Sequence, residues 1–248
     1  MARGHAAVIT STANLKSRFL RSLRDRSGRQ DAGCILVEGP RLVADALRSR
    51  AQFEVVLYDP TSLGTNPLGV ELMRALPLEV SFAATERVVS AACDTTTPQG
   101  IVAAVRPPNT QAVGDGVVLV IDGLRDPGNV GSMVRSAAAA GAGAVVTTEG
   151  TADVFGPKAM RAGMGAQFRI AVHADWGWPG IADLLPERIY LLAEPRGGTR
   201  YDLVDWTRSY ALIVGAEQRG VPLQRIEQRR PHQGQEDQGK GQPGGGAG

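Results

Sequence analysis

A short apolar strand that leads directly into a glycine-rich turn and a helix is the feature that most restricts the fold of this chain. The strand spans residues 117–121 and is rich in β-branched side chains, and the turn spans 122–129. A helical pattern follows over 132–140. Such a turn lies at the carboxyl end of a strand, where open α/β sheets bind ligands. The segment therefore predicts a ligand site that includes Asn129 and Arg135.

Short strands and helices alternate on both sides of this segment. The N-terminal part predicts strands at 34–37, 53–58, 79–82 and 101–105, with helices at 14–26, 41–48, 71–76 and 84–92. The C-terminal part predicts further strands at 144–147, 167–172, 189–193 and 211–214, with helices at 157–162 and 181–185. The pattern indicates a small α/β domain over 1–106, a proline-paired linker over 107–114, and a mainly parallel α/β domain over 115–224. Residues 225–248, dominated by Gly, Gln and charge, are expected to be disordered.

The charge distribution and the cysteines indicate which binding partners and which cellular compartment to expect. The formal net charge of +2 does not by itself indicate a nucleic-acid partner. Residues 1–30, however, contain seven Lys or Arg and one acidic residue, Asp25. Such a stripe fits a phosphate-binding surface and a solvated helix face equally well. The two cysteines and three histidines show no metal-ligand spacing, so no metal is expected. With neither a signal peptide nor a membrane span, we expect a cytoplasmic protein.

Three glycine-bearing turns follow predicted strands, at 126–131, 147–150 and 215–220. Each alone is more typical of a tight turn, but three at one sheet edge favour a binding site. Arg135 is expected near a helix start, which the helix dipole disfavours, so its position suggests function, although a solvent-facing arginine explains it equally well. Lys158 and Arg161 fit either phosphate contacts or a solvated face. Glu217 could orient a cationic group or cap the next segment.

The order of these segments resembles that of the SpoU-type, or TrmH-like, RNA ribose 2′-O-methyltransferases. The shared pattern is N-x-G-x-x-x-R-S-A at 129–137, TTEGTADVFGPKAMRAGMGA at 147–166 and LIVGAEQRGV at 212–221. The N-terminal part is similar to the substrate-binding domain often joined to that catalytic domain, through STANLKSR at 11–18, LVEGPRLV at 36–43 and TPQGIVAAV at 97–105.

The resemblance implies a SPOUT-type parallel sheet with a trefoil knot, S-adenosylmethionine as methyl donor, ribosomal or transfer RNA as substrate, and a homodimer with its sites at the subunit interface. The catalytic residues it implies are Arg135, Asn129 and Glu217. The cofactor-binding residues are Thr148, Glu149, Gly150, Gly215 and Ala216. The RNA-binding residues, taken together with the basic stripe, are Lys16, Arg18, Arg41, Lys158 and Arg161. Arginine is normally always protonated, so Arg135 is expected to position the ribose hydroxyl and stabilise its developing negative charge.

The chain departs from the family pattern in two places. Ala216 stands where the second motif usually has asparagine, and after Val221 there is no S-L-N sequence and no apolar helix, so the knot is expected to be incomplete. Two hypotheses therefore stay open: an RNA 2′-O-methyltransferase, or an RNA-binding protein without catalysis. A different nucleotide-binding α/β enzyme is disfavoured, because no phosphate-loop or dinucleotide signature is present.

Overall fold

Two β-sheets, each flanked by helices, make up the computed structural model, which describes residues 8–108, 112–194 and 198–215. The strands are β1 Ile35–Glu38, β2 Phe53–Tyr58, β3 Ser81–Ala83, β4 Ile101–Val105, β5 Val118–Asp122, β6 Ala144–Thr148, β7 Val172–Trp176, β8 Ile189–Leu192 and β9 Tyr210–Gly215. The helices are α1 Leu15–Ser22, α2 Arg26–Ala32, α3 Pro40–Arg48, α4 Pro60–Leu63, α5 Pro67–Ala75, α6 Glu86–Ala92, α7 Pro127–Ala139, α8 Pro157–Gly163 and α9 Trp178–Leu184. Within these described ranges, no helix is both long and apolar enough to cross a bilayer.

The N-terminal sheet is mixed and has the order β1-β4-β2-β3. Strand β4 runs antiparallel to both β1 and β2, and β3 runs parallel to β2. Every residue of β1 and β4 is buried, because one cluster of apolar side chains covers each face of the sheet. One cluster includes Leu20 of α1 and Val88 of α6, and the other includes Val43 of α3 and Leu72 of α5. Helices α1 and α3 therefore lie on opposite faces.

The C-terminal sheet has the order β7-β6-β5-β9-β8, and all four strand pairs are parallel, which confirms the predicted parallel sheet. Strands β5, β6 and β7 follow one another from the centre of the sheet to one edge. The chain then crosses to the opposite edge, where it forms β8, and β9 lies between β8 and β5. The strand order therefore reverses between β5 and β9. In open α/β sheets the crevice at the carboxyl ends of the strands beside such a reversal is the usual ligand site.

One apolar cluster contains buried side chains from both parts of the chain. Met160 of α8 and Phe168, which follow β6, are buried in the cluster that also holds Leu42 and Val43 of α3. Side chains from the C-terminal part of the chain thus complete the core of the N-terminal part. Pulling the two parts apart would expose both residues to water, at a cost of about 1.5–3 kcal/mol for each buried side chain.

Several predicted elements are placed differently in the structure; for example, α5 begins at Pro67 rather than at 71, and β3 begins at Ser81 rather than at 79. The helix expected at 14–26 ends already at Ser22, and a second helix, α2, begins at Arg26 and packs against the end of α1, where a Cβ on Gly28 would lie 2.0 Å from the Ser22 carbonyl oxygen. The strand expected at 167–172 begins only at Val172. The segment before it is a short 3-10 turn, in which Gln167 is fully buried and its side-chain amide donates to the carbonyls of Val154 and Ala159.

Helix α7 begins five residues before the predicted start at Ser132. Asp126 is its N-cap residue and accepts a hydrogen bond from the Asn129 backbone N–H at 2.8 Å, and Pro127 occupies the first helical position. Arg135 consequently lies in the third turn of the helix. The expectation that it lies near the helix start was wrong, and the dipole argument does not apply to it.

Close packing of α7 on α8 depends on a glycine at the contact. A Cβ added to Gly131 would lie 2.2 Å from the Ala159 carbonyl oxygen and 2.8 Å from the Gly163 backbone nitrogen. We expect Gly131→Ala to lower the free energy of unfolding by about 1–3 kcal/mol, because the overpacking outweighs the better helix propensity of alanine. Urea denaturation checks this, with Ser132→Ala on the exposed side of α7 as the control. Equal stability of the two variants would contradict the prediction.

Candidate functional site

The carboxyl ends of three neighbouring strands form the floor of the candidate site. Asp122 at the end of β5 is the register partner of Gly215 at the end of β9, and Thr148 ends β6 on the other side of β5. A Cβ added to Gly215 would lie 3.5 Å from the Asp122 carbonyl oxygen, so the two ends are in close contact. The structure thus brings two of the predicted cofactor-binding residues, Thr148 and Gly215, to the strand-order reversal.

Hydrogen bonds hold the loop after β5 to the loop after β6. The Thr148 hydroxyl donates to Asp122 Oδ1 at 2.6 Å, and the Gly123 backbone N–H donates to Thr148 Oγ1 at 3.1 Å and Thr151 Oγ1 at 3.0 Å. The Thr151 hydroxyl in turn donates to the Ile121 carbonyl. Thr148 and Thr151 are both buried, so their hydrogen bonds fix the conformation of the two loops from within the protein.

Two glycines leave room above this floor. Gly123 and Gly150 have φ values of +65° and +83°, and nothing lies within 4 Å of a Cβ added to either. Positive φ favours glycine, and the absence of a side chain lets a partner approach the backbone. Glu149 is exposed beside Gly150. The floor is therefore rigid, whereas its rim is open.

The N-terminus of α7 is fixed beside this floor by Asp126. Its carboxylate accepts from the Asn129 backbone N–H, and Lys158 Nζ lies 3.0 Å from Asp126 Oδ2. The Asn129 bond and the Lys158 ammonium together lower the pKa of Asp126, so this cap is ionised at neutral pH. Asn129 itself lies on the exposed side of the first turn.

Arg135 lies farther along α7, next to the end of α8. Its Nη1 donates to the sulfur of Met164 at 3.3 Å, and both residues are exposed. Six residues separate Asn129 from Arg135, which corresponds to a rise of about 9 Å and a rotation of about 120° around the helix. The helix alone therefore does not bring these two predicted catalytic residues together.

The predicted RNA-binding residues fall on two different surfaces. Lys16 and Arg18 lie on α1, and Lys16 Nζ is 4.3 Å from the centre of the Phe82 ring, a cation–π contact. Arg41 lies on α3, on the opposite face of the N-terminal sheet. A single flat RNA surface on one face of this sheet would not include all three.

The other two predicted RNA-binding cations are engaged in ion pairs within the protein. Lys158 pairs with Asp126, as described above. Arg161 Nη1 lies 3.0 Å from Glu38 Oε2, and its Nη2 lies 2.9 Å from Asp94 Oδ2, so α8 is joined to the N-terminal part of the chain. Their positive charge is therefore already balanced by carboxylates.

Several predictions concern residues outside those that the structure describes. These are the cofactor and catalytic roles of Ala216 and Glu217, the incomplete knot and the tail at 225–248.

Sequence reasoning missed Asp126, Glu38 and Met164. An Asp-Pro pair after a strand is a recognised helix-start signal and could have identified Asp126 as a cap. Glu38 and Met164 had no such signal, because their importance comes from contacts between distant parts of the chain.

Solved structures with this fold define the class of protein. An RNA 2′-O ribose methyltransferase is 28% identical, with a TM-score of 0.73 over 93% of this chain and 92% of that one. The SpoU methyltransferase AviRb from Streptomyces viridochromogenes, in complex with AdoMet, shares the fold at 23% identity, with a TM-score of 0.74 over 86% of each chain. The fold and the switch-point site are thus those of an α/β RNA methyltransferase.

Family comparisons then identify the group within that class. Residues 116–232 match the SpoU rRNA Methylase family, and residues 14–103 match the MRM3-like substrate binding domain. The 23S rRNA (guanosine(2553)-2′-O)-methyltransferase RlmP of Bacillus subtilis is 33% identical over 88% of this chain and 86% of its own length. The human mitochondrial rRNA methyltransferase 3 is 34% identical over 68% of this chain, which spans only 42% of that protein. The chain belongs to the SpoU rRNA methylase family.

Enzymes of this family use S-adenosylmethionine, and the described part of the site fits such a group. A rigid floor of three strand ends, with open space over Gly123 and Gly150, offers backbone for a nucleoside-like ligand to contact. Residues Thr148 and Gly215 contribute to the floor, and Glu149 and Gly150 to the rim.

Proposed function

We propose that this chain methylates the ribose 2′-hydroxyl of a nucleotide in ribosomal RNA, with S-adenosylmethionine as the methyl donor. The observation that carries the proposal is the edge at Asp122, Thr148 and Gly215, where the strand order reverses next to the amino end of α7, the helix that carries the exposed Arg135 in its third turn. The named substrates of RlmP and of the mitochondrial relatives, all ribosomal RNA, favour ribosomal over transfer RNA.

Each group in the site then has a defined task. The donor supplies a methyl group on a positively charged sulfur. The ribose oxygen forms a bond to the methyl carbon as the carbon–sulfur bond breaks, the electron pair of that bond stays on the sulfur, and the hydroxyl proton passes to water. Arg135, permanently charged, stabilises the negative charge that develops on the ribose oxygen or on its neighbouring phosphate. Holding the hydroxyl in line with the methyl group supplies much of the remaining acceleration.

The rest of the assignment belongs to the same proposal. Residues 1–106 bind structured RNA, with Lys16 and Arg18 on one surface and Arg41 on the other, and residues 115–224 carry the donor site. Asn129 and Glu217 line that site with Ala216. Because Arg135 lies away from the strand ends of its own chain, a homodimer with its sites at the subunit interface accounts for its role. A cytoplasmic location suits a ribosomal RNA substrate.

A direct assay tests the function. The purified chain is incubated with tritiated S-adenosylmethionine and unmodified transcripts of 23S ribosomal RNA or transfer RNA. We expect label in the ribosomal transcript, recovered after alkaline hydrolysis as a dinucleotide, because a 2′-O-methyl group blocks cleavage at that position.

Calorimetric titration with S-adenosylmethionine separates the proposal from the second candidate, an RNA-binding protein without catalysis. The sequence observation that favours this candidate is the lack of the third family motif after Val221. RNA binding without methyl transfer and without donor binding would establish it.

A further inference from the structure

A cavity of about 420 Å³ lies between the two parts of the chain, away from the strand ends. Its walls come from Glu38 at the end of β1, the length of α3, Leu68 of α5, the loop after α6, and the C-terminal end of α8 with Arg161 and Met164. Cavities of about 300–1,000 Å³ are the usual size for small organic ligands. The methyl donor of the family is assigned to the carboxyl ends of β5, β6 and β9, and none of the described residues there lines this cavity. We therefore consider a different ligand for the cavity.

The carboxylates in the wall are already neutralised. Glu38 accepts from Arg161 and from the backbone N–H groups of Asp94 and Thr95, and its side chain is almost fully buried. Asp45 Oδ1 lies 2.5 Å from Arg48 Nη2, and its Oδ2 lies 3.5 Å from Arg169 Nη1. The cavity therefore attracts no cation through these groups.

Arg41 is the free cation of this wall. In the part of the chain that the structure describes, no carboxylate pairs with its exposed guanidinium. Leu42, Leu68 and Met164 supply apolar surface next to it, and Gln99 supplies a donor and an acceptor. A site with an unpaired guanidinium, apolar side chains and an amide suits a ligand that combines an anion with a planar polar base.

The cavity borders the predicted catalytic arginine through one side chain. Met164 lines the cavity, and its sulfur accepts the hydrogen bond from Arg135 Nη1. Its φ of +49° is unusual for a residue other than glycine. The next residue, Gly165, holds the turn against α3, since an added Cβ there would lie 2.8 Å from Asp45 Oδ2 and 3.2 Å from Leu42 Cδ2. The backbone thus keeps Met164 between the cavity and Arg135.

We infer that this cavity binds one unstacked nucleotide of the substrate RNA, next to the nucleotide whose ribose is methylated. The phosphate pairs with Arg41, and the base lies against Leu42, Leu68 and Met164 with its polar edge at Gln99. Proteins that read single-stranded RNA use splayed-out bases in this way. Occupancy fixes the neighbouring ribose beside Arg135. The inference rests on the proposed function for its RNA substrate, but its test does not depend on methyl transfer.

The Met164 methyl group provides a direct probe of the cavity. The chain has five methionines, so selective ¹³C-methyl labelling gives a simple NMR spectrum, and Met164→Leu assigns the resonance. We expect 5′-AMP, GMP, CMP or UMP at millimolar concentration to shift the Met164 resonance while leaving that of Met73, in the N-terminal core, in place. Thr97→Trp, which fills the cavity from its exposed rim, should abolish the shift.

Control variants and ligands distinguish a nucleotide site from a site that binds any anion. Arg41→Gln should weaken the effect, whereas Arg74→Gln, an exposed arginine of α5 outside this cavity, should not. No Met164 shift with any of the four nucleotides would overturn the inference. An equal shift with inorganic phosphate alone would also overturn it, because the site would then recognise only an anion.

The methylation assay gives an independent readout. Thr97→Trp and Arg41→Gln should raise the KM for RNA about tenfold and leave the KM for S-adenosylmethionine unchanged. Unchanged RNA kinetics in both variants, with the wild type active, would overturn the positioning role and leave the proposed function intact. An inactive wild type with a Met164 shift would instead contradict the proposed function and retain the nucleotide site.

Discussion

Replacing Arg135 with alanine is expected to reduce kcat/KM for RNA methylation by about 10²–10³-fold, the usual cost of removing one group that stabilises developing negative charge. The side chain is exposed, and its described hydrogen bond goes to the weakly accepting sulfur of Met164, so the fold should be unaffected. S-adenosylmethionine affinity, measured by calorimetry, should also stay the same, because Thr148 and Gly215 keep their places.

Two further variants make the result specific. Arg135→Lys keeps the charge but loses the planar fork of donors, so it should retain intermediate activity. Arg74→Ala, an exposed arginine on α5, should behave like the wild type. If Arg135→Ala retains more than half of the wild-type activity, Arg135 does not act at the reacting ribose.

The second large effect concerns stability and arises at the contact between the two parts of the chain. The Arg29 side chain is only 8% exposed. Its Nη1 donates to the carbonyls of Leu23 and Arg24, at 2.8 and 2.6 Å, and its Nε and Nη2 donate to Asp153 Oδ2 at 3.1 and 2.5 Å. Arg29→Met leaves two carbonyl groups and a carboxylate without these donors. We expect a loss of about 3 kcal/mol in the free energy of unfolding, at the low end for a broken buried pair because Asp153 is partly exposed.

The chain offers a matched control for this experiment. Arg26 and Asp175 form a second ion pair between the same two parts of the chain, but their side chains are 45% and 40% exposed. The Asp175 carboxylate raises the pKa of Arg26 through their hydrogen bond, yet water screens the pair. Arg26→Met should therefore cost less than about 1 kcal/mol. Urea denaturation of both variants checks the contrast, and equal losses would show that burial does not set the strength of these pairs.

Some elements follow directly from the sequence. Strands β2 and β4 have the predicted bounds, 53–58 and 101–105, because each is an apolar run closed at its ends by polar residues, Gly or Pro. The start of α7 was harder to predict, because Pro127 and Gly128 are typical of a turn and only the Asp126 cap makes them helical. The segment at 167–172 was misplaced because the hydrogen bonds that bury Gln167 come from Val154 and Ala159, outside any local window.

The residues of the candidate site also fall into two groups, those that local sequence predicts and those that it does not. Thr148 and Gly215 could be selected from local motifs, since strand ends and glycine turns leave a signal in sequence. The role of Arg135 came from the family resemblance, because its position within α7 was mispredicted. The cavity could not be predicted, because its walls join Glu38, Thr95 and Arg161, which meet only after the two parts of the chain fold together. The neutral state of Cys93 is also a tertiary property: burial, with Glu38 nearby, raises the pKa of its thiol to about 12, so it contributes to the cavity wall as an uncharged group.

The buried contact at Met160 and Phe168 restricts how the two parts of the chain can move relative to each other. Swinging the two parts apart would expose both apolar side chains to water, so we expect the two parts to move as one body. We therefore expect a nearly constant separation between helices α1 and α3, which the proposed function assigns to RNA binding, and helix α7, which carries Arg135. On the function proposed above, we expect such a protein to select its target by length along folded RNA: the ribose that receives the methyl group is the one at that distance from the RNA structure bound by the N-terminal part.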